Sequence, residues 1–140
     1  VLPPGAHFDP STDHVVMLTA AQSQADLLKF VKLNGFRSPP PLKIRVGVRH
    51  RFRFINMTAN AGQAVVFLES GSIPVMWRPV AIDGAELPSA RRQPERAVRV
   101  LTIGKTLDFE FTPTTPGALT VQVNLAGTHQ ILGSLAIEVR

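Results

Sequence analysis

The chain has no cysteine and no tyrosine, and Trp77 is its only tryptophan. Without cysteine there is no disulfide framework and no thiolate metal site. A blue-copper centre, which needs a Cys thiolate beside two His ligands, is excluded on the same ground. The four histidines stand at 7, 14, 50 and 129, and no two are within two positions of each other. No apolar run is long enough to span a bilayer, and the first residues do not resemble a signal peptide. There is also no Gly-x-Ser-x-Gly elbow, no phosphate loop and no metalloprotease helix. The chain begins at Val1 rather than Met, which leads us to expect a processed or excised form.

The 140 residues fit a single domain able to bury a core without cross-links. Hydrophobic residues make up 44% and charged residues 18%, which argues against disorder. Fifteen Lys and Arg against ten Asp and Glu give a net charge of +5. That balance raises nucleic acid as a partner. The sequence has no helical basic stripe and no zinc-finger spacing, so a solvated or partner-facing basic surface is expected instead, with no nucleic acid bound.

Val1–Thr12, with Pro3, Pro4, Gly5 and Pro10, reads as an extended lead-in ahead of a domain over 13–140. Strands are expected at Asp13–Ala20, Phe30–Leu33, Leu42–Val46, Gly47–Asn56, Ala64–Glu69, Val75–Ile82, Ala97–Ile103, Thr106–Thr112, Ala118–Asn124 and Ser134–Val139. Gln22–Leu28 reads as a loop or one helical turn, and Ala85–Glu95 as a polar loop carrying Arg91 and Arg92. Asn34-Gly35, Asp83-Gly84, Gly104-Lys105 and Pro116-Gly117 supply the turns. Many short strands between Gly and Pro turns indicate an all-β sandwich or barrel.

The segment 47–56, Gly-Val-Arg-His-Arg-Phe-Arg-Phe-Ile-Asn, alternates. It sets Arg49, Arg51 and Arg53 on one face and Val48, His50, Phe52 and Phe54 on the other. Phe109 and Phe111 alternate with Asp108 and Glu110 in the same way, as a sheet with one wet face would.

In this order the segments resemble the multicopper oxidase family. Gly47 to Asn56 resembles the Gly-x-x-x-Arg-Phe-Arg-x-x-Asn strand of its plastocyanin-like (cupredoxin) domains, and Phe30 to Gly35 resembles the Asn-Gly segment that precedes it. Ala81, Asp83, Gly84 and Pro88 match an Ala-x-Asp-Gly-x-x-x-Pro segment. Val100 to Phe111, Gly117 to Val123 and Leu132 to Val139 are similar to the strands that follow. The resemblance implies a cupredoxin-like Greek-key β-sandwich from periplasmic or secreted oxidases. These pass electrons from a mononuclear copper to a trinuclear cluster that reduces dioxygen.

The family's trinuclear cluster takes imidazoles from His-x-His pairs on two domains, and this chain has no such pair. The resemblance therefore implies a domain without copper ligands, with copper in a partner cupredoxin domain of the same parent chain or oligomer. No catalytic, cofactor-binding or metal-binding residue is assigned. His7 is expected to be solvated, His14 to lie at a strand edge, His50 to pack inside beside Phe52, and His129 to sit in a loop. Met76 and Trp77 are expected in the core. Asp83 is explained by its turn, without a carboxylate pair with Glu86. Ser70-Gly71-Ser72 reads as a turn. Asn56-Met57-Thr58 fits a glycosylation pattern, of consequence only in a eukaryotic secreted protein.

Three functions are expected from these residues. The first is a non-metallated cupredoxin domain of a laccase-type oxidoreductase, with a structural or substrate-side role and no catalysis of its own. The second is a stand-alone copper-free binding module with a basic face. The third is a single-domain copper protein using His129 with His50 or His7.

Overall fold

The computed structural model describes residues 7–20, 29–58 and 63–140. The segments Val1–Ala6 and Gln22–Leu28 lie outside the described residues. Among the described residues thirteen strands build two facing sheets. They are β1 (Asp13–Ala20), β2 (Val31–Leu33), β3 (Leu42–Ile44), β4 (His50–Met57), β5 (Ala64–Ser70), β6 (Ile73–Pro74), β7 (Met76–Ile82), β8 (Ala85–Glu86), β9 (Glu95–Arg96), β10 (Val98–Leu101), β11 (Thr106–Phe111), β12 (Gly117–Leu125) and β13 (Ile131–Val139). The first sheet runs β2-β1-β4-β11-β7-β8, with β9 also paired to β7. The second runs β10-β5-β12-β13-β3, with β6 on β5. The pairs β1–β4 and β3–β13 are parallel, and the remaining pairs are antiparallel.

The period-2 pattern explains the core. On β4, His50, Phe52, Phe54 and Asn56 are buried while Arg51, Arg53 and Ile55 alternate between them. Trp77 stacks on Phe109 with ring centroids 3.8 Å apart, and Phe54 meets both rings at a tilt. Val121, Val123, Leu135 and Ile137 supply the facing layer from β12 and β13. Gly133 on β13 is a close approach, because a Cβ there would lie 3.2 Å from the Val31 side chain.

The turns follow their sequences. Asn34 and Gly35 both take positive φ, 52° and 85°, and Leu33 and Phe36 exchange backbone hydrogen bonds around them. The Asn34 side chain continues the pairing. Its Oδ1 accepts from Met17 N–H at 2.7 Å, and its Nδ2 donates to the Val15 carbonyl at 2.8 Å. Asn56 is fully buried. Its Nδ2 donates to the Leu101 carbonyl at 2.8 Å, and its Oδ1 accepts from Thr58 N–H and Oγ1–H. The folded chain therefore offers no glycosylation acceptor at Asn56.

The expected strands Leu42–Val46 and Ala97–Ile103 shorten to β3 and β10, Ser134–Val139 lengthens to β13, and two further expectations need correction. The strand expected from Gly47 begins at His50, because Gly47 turns the chain with φ 74°. Arg49 thus lies ahead of the strand, not on it. The loop expected over Ala85–Glu95 is more regular than read: it holds β8, a 3₁₀ turn at Ser89–Arg91 and the start of β9.

Candidate functional site

The structure brings His14 and His50 together. The parallel register of β1 on β4 sets His14 opposite Phe52, one step from His50. His14 Nε2 and His50 Nδ1 are 3.1 Å apart, and both residues are buried, at 7% and 1% exposure. The expectation of a strand-edge His14 is therefore corrected: β1 lies inside its sheet, between β2 and β4.

His50 Nε2 also meets the backbone of Arg45, with the carbonyl at 3.3 Å and the N–H at 3.2 Å. Two neutral arrangements satisfy this geometry. In one, His14 Nε2–H donates to His50 Nδ1, and His50 Nε2–H donates to the Arg45 carbonyl. In the other, His50 Nδ1–H donates to His14 Nε2, and Arg45 N–H donates to His50 Nε2. Burial pushes the His14 pKa down to about 4, with the neighbouring His50 adding to the fall and Asp13 opposing it. Burial also lowers the His50 pKa, against the Arg45 backbone bond.

The donor set does not fit a copper centre. There is no thiolate, and the facing nitrogens of the two paired histidines hydrogen-bond each other. Among the described residues no three His, Asp or Glu side chains gather as metal ligands would. His129 is exposed in the β12–β13 loop, and His7 is exposed as well. The loop holding His129 adjoins Gln63 through the Ala126 N–H, beyond the far end of β4. His50 begins β4, so about 23 Å of strand separates the two ends. A site joining His129 to His50 is ruled out by that span.

The second cluster is a charge lattice on the outer face of the first sheet. β11 runs antiparallel to β4 and sets Asp108 opposite Arg53 and Glu110 opposite Arg51. Asp108 Oδ2 accepts from Arg51 at 2.8 Å and from Arg53 at 2.7 Å. Glu86 takes Arg51 at 3.1 Å and Arg92 at 3.0 Å, and Glu110 pairs with Arg78. The Asp108 bond raises the Arg53 pKa. Two expectations change here. Asp108 lies on the outer face as read but is covered there by Arg51 and Arg53 and is only 1% exposed, and the basic stripe is largely neutralised. Arg49, 3.8 Å from Glu110, remains exposed.

Asp83 and Glu86 diverge. Asp83 takes Lys105 Nζ at 2.6 Å and the Thr106 N–H at 3.0 Å, which lowers its pKa, while Glu86 serves the arginines. Trp77 is core at 2% exposure, whereas Met76 is 53% exposed at the start of β7, against expectation. Met76 lines a cleft of about 370 Å³ with Phe111 and the Thr112–Leu119 segment. No titratable side chain lines that cleft, so it has no group for acid–base chemistry.

Asp108→Ala is expected to cost about 2–3 kcal/mol, since it strips a buried carboxylate from two guanidiniums. Arg51 and Arg53 are 22% and 26% exposed, so water relieves part of the loss and keeps it below a fully buried pair. Urea unfolding measures it. A cost under about 0.5 kcal/mol would reduce the lattice to ordinary surface pairing.

No family model matches the sequence, and no curated protein matches it significantly. Solved structures do. A multicopper oxidase superposes with TM-score 0.73 at 14% identity, over 94% of this chain and 45% of that one. The blue copper oxidase of Nitrosomonas europaea gives 0.66 at 14% identity, over 92% and 44%. A copper-containing nitrite reductase from Thermus scotoductus SA-01 gives 0.68 at 16% identity, over 94% and 31%. The chain spans less than half the length of each. Among the described residues no helix is long and apolar enough to cross a membrane. The two sheets and these superpositions together identify an all-β sandwich of the cupredoxin-like fold.

Proposed function

We propose that this chain is a copper-free cupredoxin domain of a multicopper-oxidase-like protein, periplasmic or secreted. It packs against a metallated cupredoxin domain of the same chain or oligomer. The observation that carries this reading is a pairing of fold and donor set. The sandwich superposes on part of a copper oxidase along nearly its whole length, while its two apposed imidazoles satisfy each other and no thiolate exists. Its work would be structural, shaping the face that a neighbouring copper domain presents to substrate, with no electron transfer through its own residues.

Copper content tests this at two scales. The purified chain, titrated with Cu(I) and Cu(II), is expected to show no tight stoichiometric site. The native protein from its source organism, sized by native mass spectrometry and assayed for metal, is expected to be a larger copper-bearing polypeptide or assembly. A copper-free native monomer of 15.2 kDa would sink the proposal.

A further inference from the structure

Where the two sheets part, between β7 and β10, a narrow cleft opens with an apolar floor and a cationic mouth. Pro79, Leu107 and Phe109 rise from the first sheet, and Leu87 closes one side. Arg91 and Arg99 stand at the rim. The two arginines differ in what they are free to do. Arg99 is chelated by Glu95, with Nε and Nη2 donating at 2.7 and 2.8 Å. Among the described residues the Arg91 guanidinium has no hydrogen-bond or ion-pair partner, and the residue is exposed.

The local chain explains why Arg91 faces this cleft unpaired. Arg92, its neighbour, is consumed in fixing the turn: its Nε donates to the Leu87 carbonyl at 2.5 Å, and its guanidinium pairs with Glu86 at 3.0 Å. Arg91 N–H donates to the Pro88 carbonyl at 2.8 Å and completes the 3₁₀ turn. The turn is thus tied at both ends while its remaining cation stays available. With Arg99 neutralised by Glu95, the mouth carries one uncompensated positive charge.

We propose that this cleft binds a small organic monocarboxylate with a compact apolar body. The carboxylate would pair bidentately with Arg91, the geometry in which guanidinium is strongest. The body would rest on Leu87, Leu107 and Phe109. The cleft measures about 80 Å³, far below the several hundred Å³ of drug-sized sites, so only a body near one six-membered ring is admitted. Phosphate and sulfate fit poorly, because the floor offers no donors for their remaining oxygens. This inference is independent of the copper-oxidase reading, since it uses none of the histidines and no partner domain.

The test is an NMR titration of the folded, isotope-labelled chain with cyclohexanecarboxylate. The neutral cyclohexanecarboxamide is the control. Saturable amide shifts are expected at Leu87, Arg91, Leu107 and Phe109, together with the indole N–H of Trp77, which stacks on Phe109. The carboxamide, and the Arg91→Gln variant with the acid, should each bind about tenfold more weakly or worse, as loss of a charge-assisted pair requires. Arg91 is exposed and among the described residues its side chain makes no hydrogen bond or ion pair, so the variant is expected to keep the native spectrum elsewhere. The proposal fails if the acid gives no saturable shifts up to its solubility limit. It fails equally if acid and amide bind alike, or if Arg91→Gln leaves the affinity unchanged.

Discussion

Trp77→Ala is expected to destabilise the protein by about 4 kcal/mol, the cost of removing a large buried aromatic and leaving a partly collapsed cavity. The loss is a large share of a typical domain's 5–15 kcal/mol, on the order of a 15 °C fall in melting temperature for a chain of this size. The site sets the magnitude. The indole is 2% exposed, lies against Phe109 at 3.8 Å with ring planes 12° apart, and is flanked by Phe54. Its Nε1–H, however, is buried without a hydrogen-bond acceptor among the described residues, and such a group carries a desolvation cost. Trp77→Phe keeps a ring on Phe109 and removes that orphan donor, so its cost is expected to be about 1 kcal/mol or less. Thermal and urea unfolding of both variants separate the two terms. Equal losses would mean that a single ring kept on Phe109 recovers none of the packing, and that the stacking contributes little.

How much of this was readable from the sequence varies by residue. The strand Asp13–Ala20 was legible to its last residue, because an eight-residue run rich in Val, Leu and Thr has no competing turn chemistry. The Asn34-Gly35 hairpin was legible because two successive positive φ angles select that pair. The start of β4 was not. Arginines at 49, 51 and 53 keep a period of two from just past the turn at Gly47, and periodicity does not register where the paired strand begins. The lattice is encoded in two strands that are far apart in sequence. Arg51-Phe52-Arg53 and Asp108-Phe109-Glu110 are one pattern in opposite charge, and antiparallel pairing of β4 with β11 superposes them. Asp108 reads as a wet-face residue from its own strand, and the arginines that cover it come from β4.

The His14–His50 contact had no local signal. The residues are 36 positions apart, and a parallel pair such as β1–β4 is joined by no tight turn that would fix its register. Only the completed sheet places them, which is why the sequence offered His129 with His50 or His7 as pairings and not His14 with His50.

That pair makes the protein's stability depend on acid. In the unfolded chain His14 titrates near 6.5, and in the fold its pKa falls to about 4, first because burial penalises the imidazolium. The unfolded state therefore takes up the proton first. Stability from this group is complete above pH 6.5 and is lost as pH falls from 6.5 toward 4. The full loss from His14 is about 3 kcal/mol, on the scale of 1.36 kcal/mol per pKa unit. His50, also lowered, adds to the fall in the same direction. The geometry gives the physical reason. One proton shared across 3.1 Å suits two neutral rings, whereas two imidazolium rings would set N–H against N–H. Urea unfolding at a series of pH values between 7.5 and about 4 should show stability dropping through this window. The double variant His14→Leu, His50→Leu should flatten it, whatever its effect at neutral pH. A wild-type profile that stays level down to pH 4.5, or a double variant that keeps the full slope, would show that the pair does not control acid stability. Asp83, whose pKa the Lys105 bond lowers, loses its contribution mainly below the unfolded Asp value near 3.9. The histidine contribution is therefore separable on the pH axis.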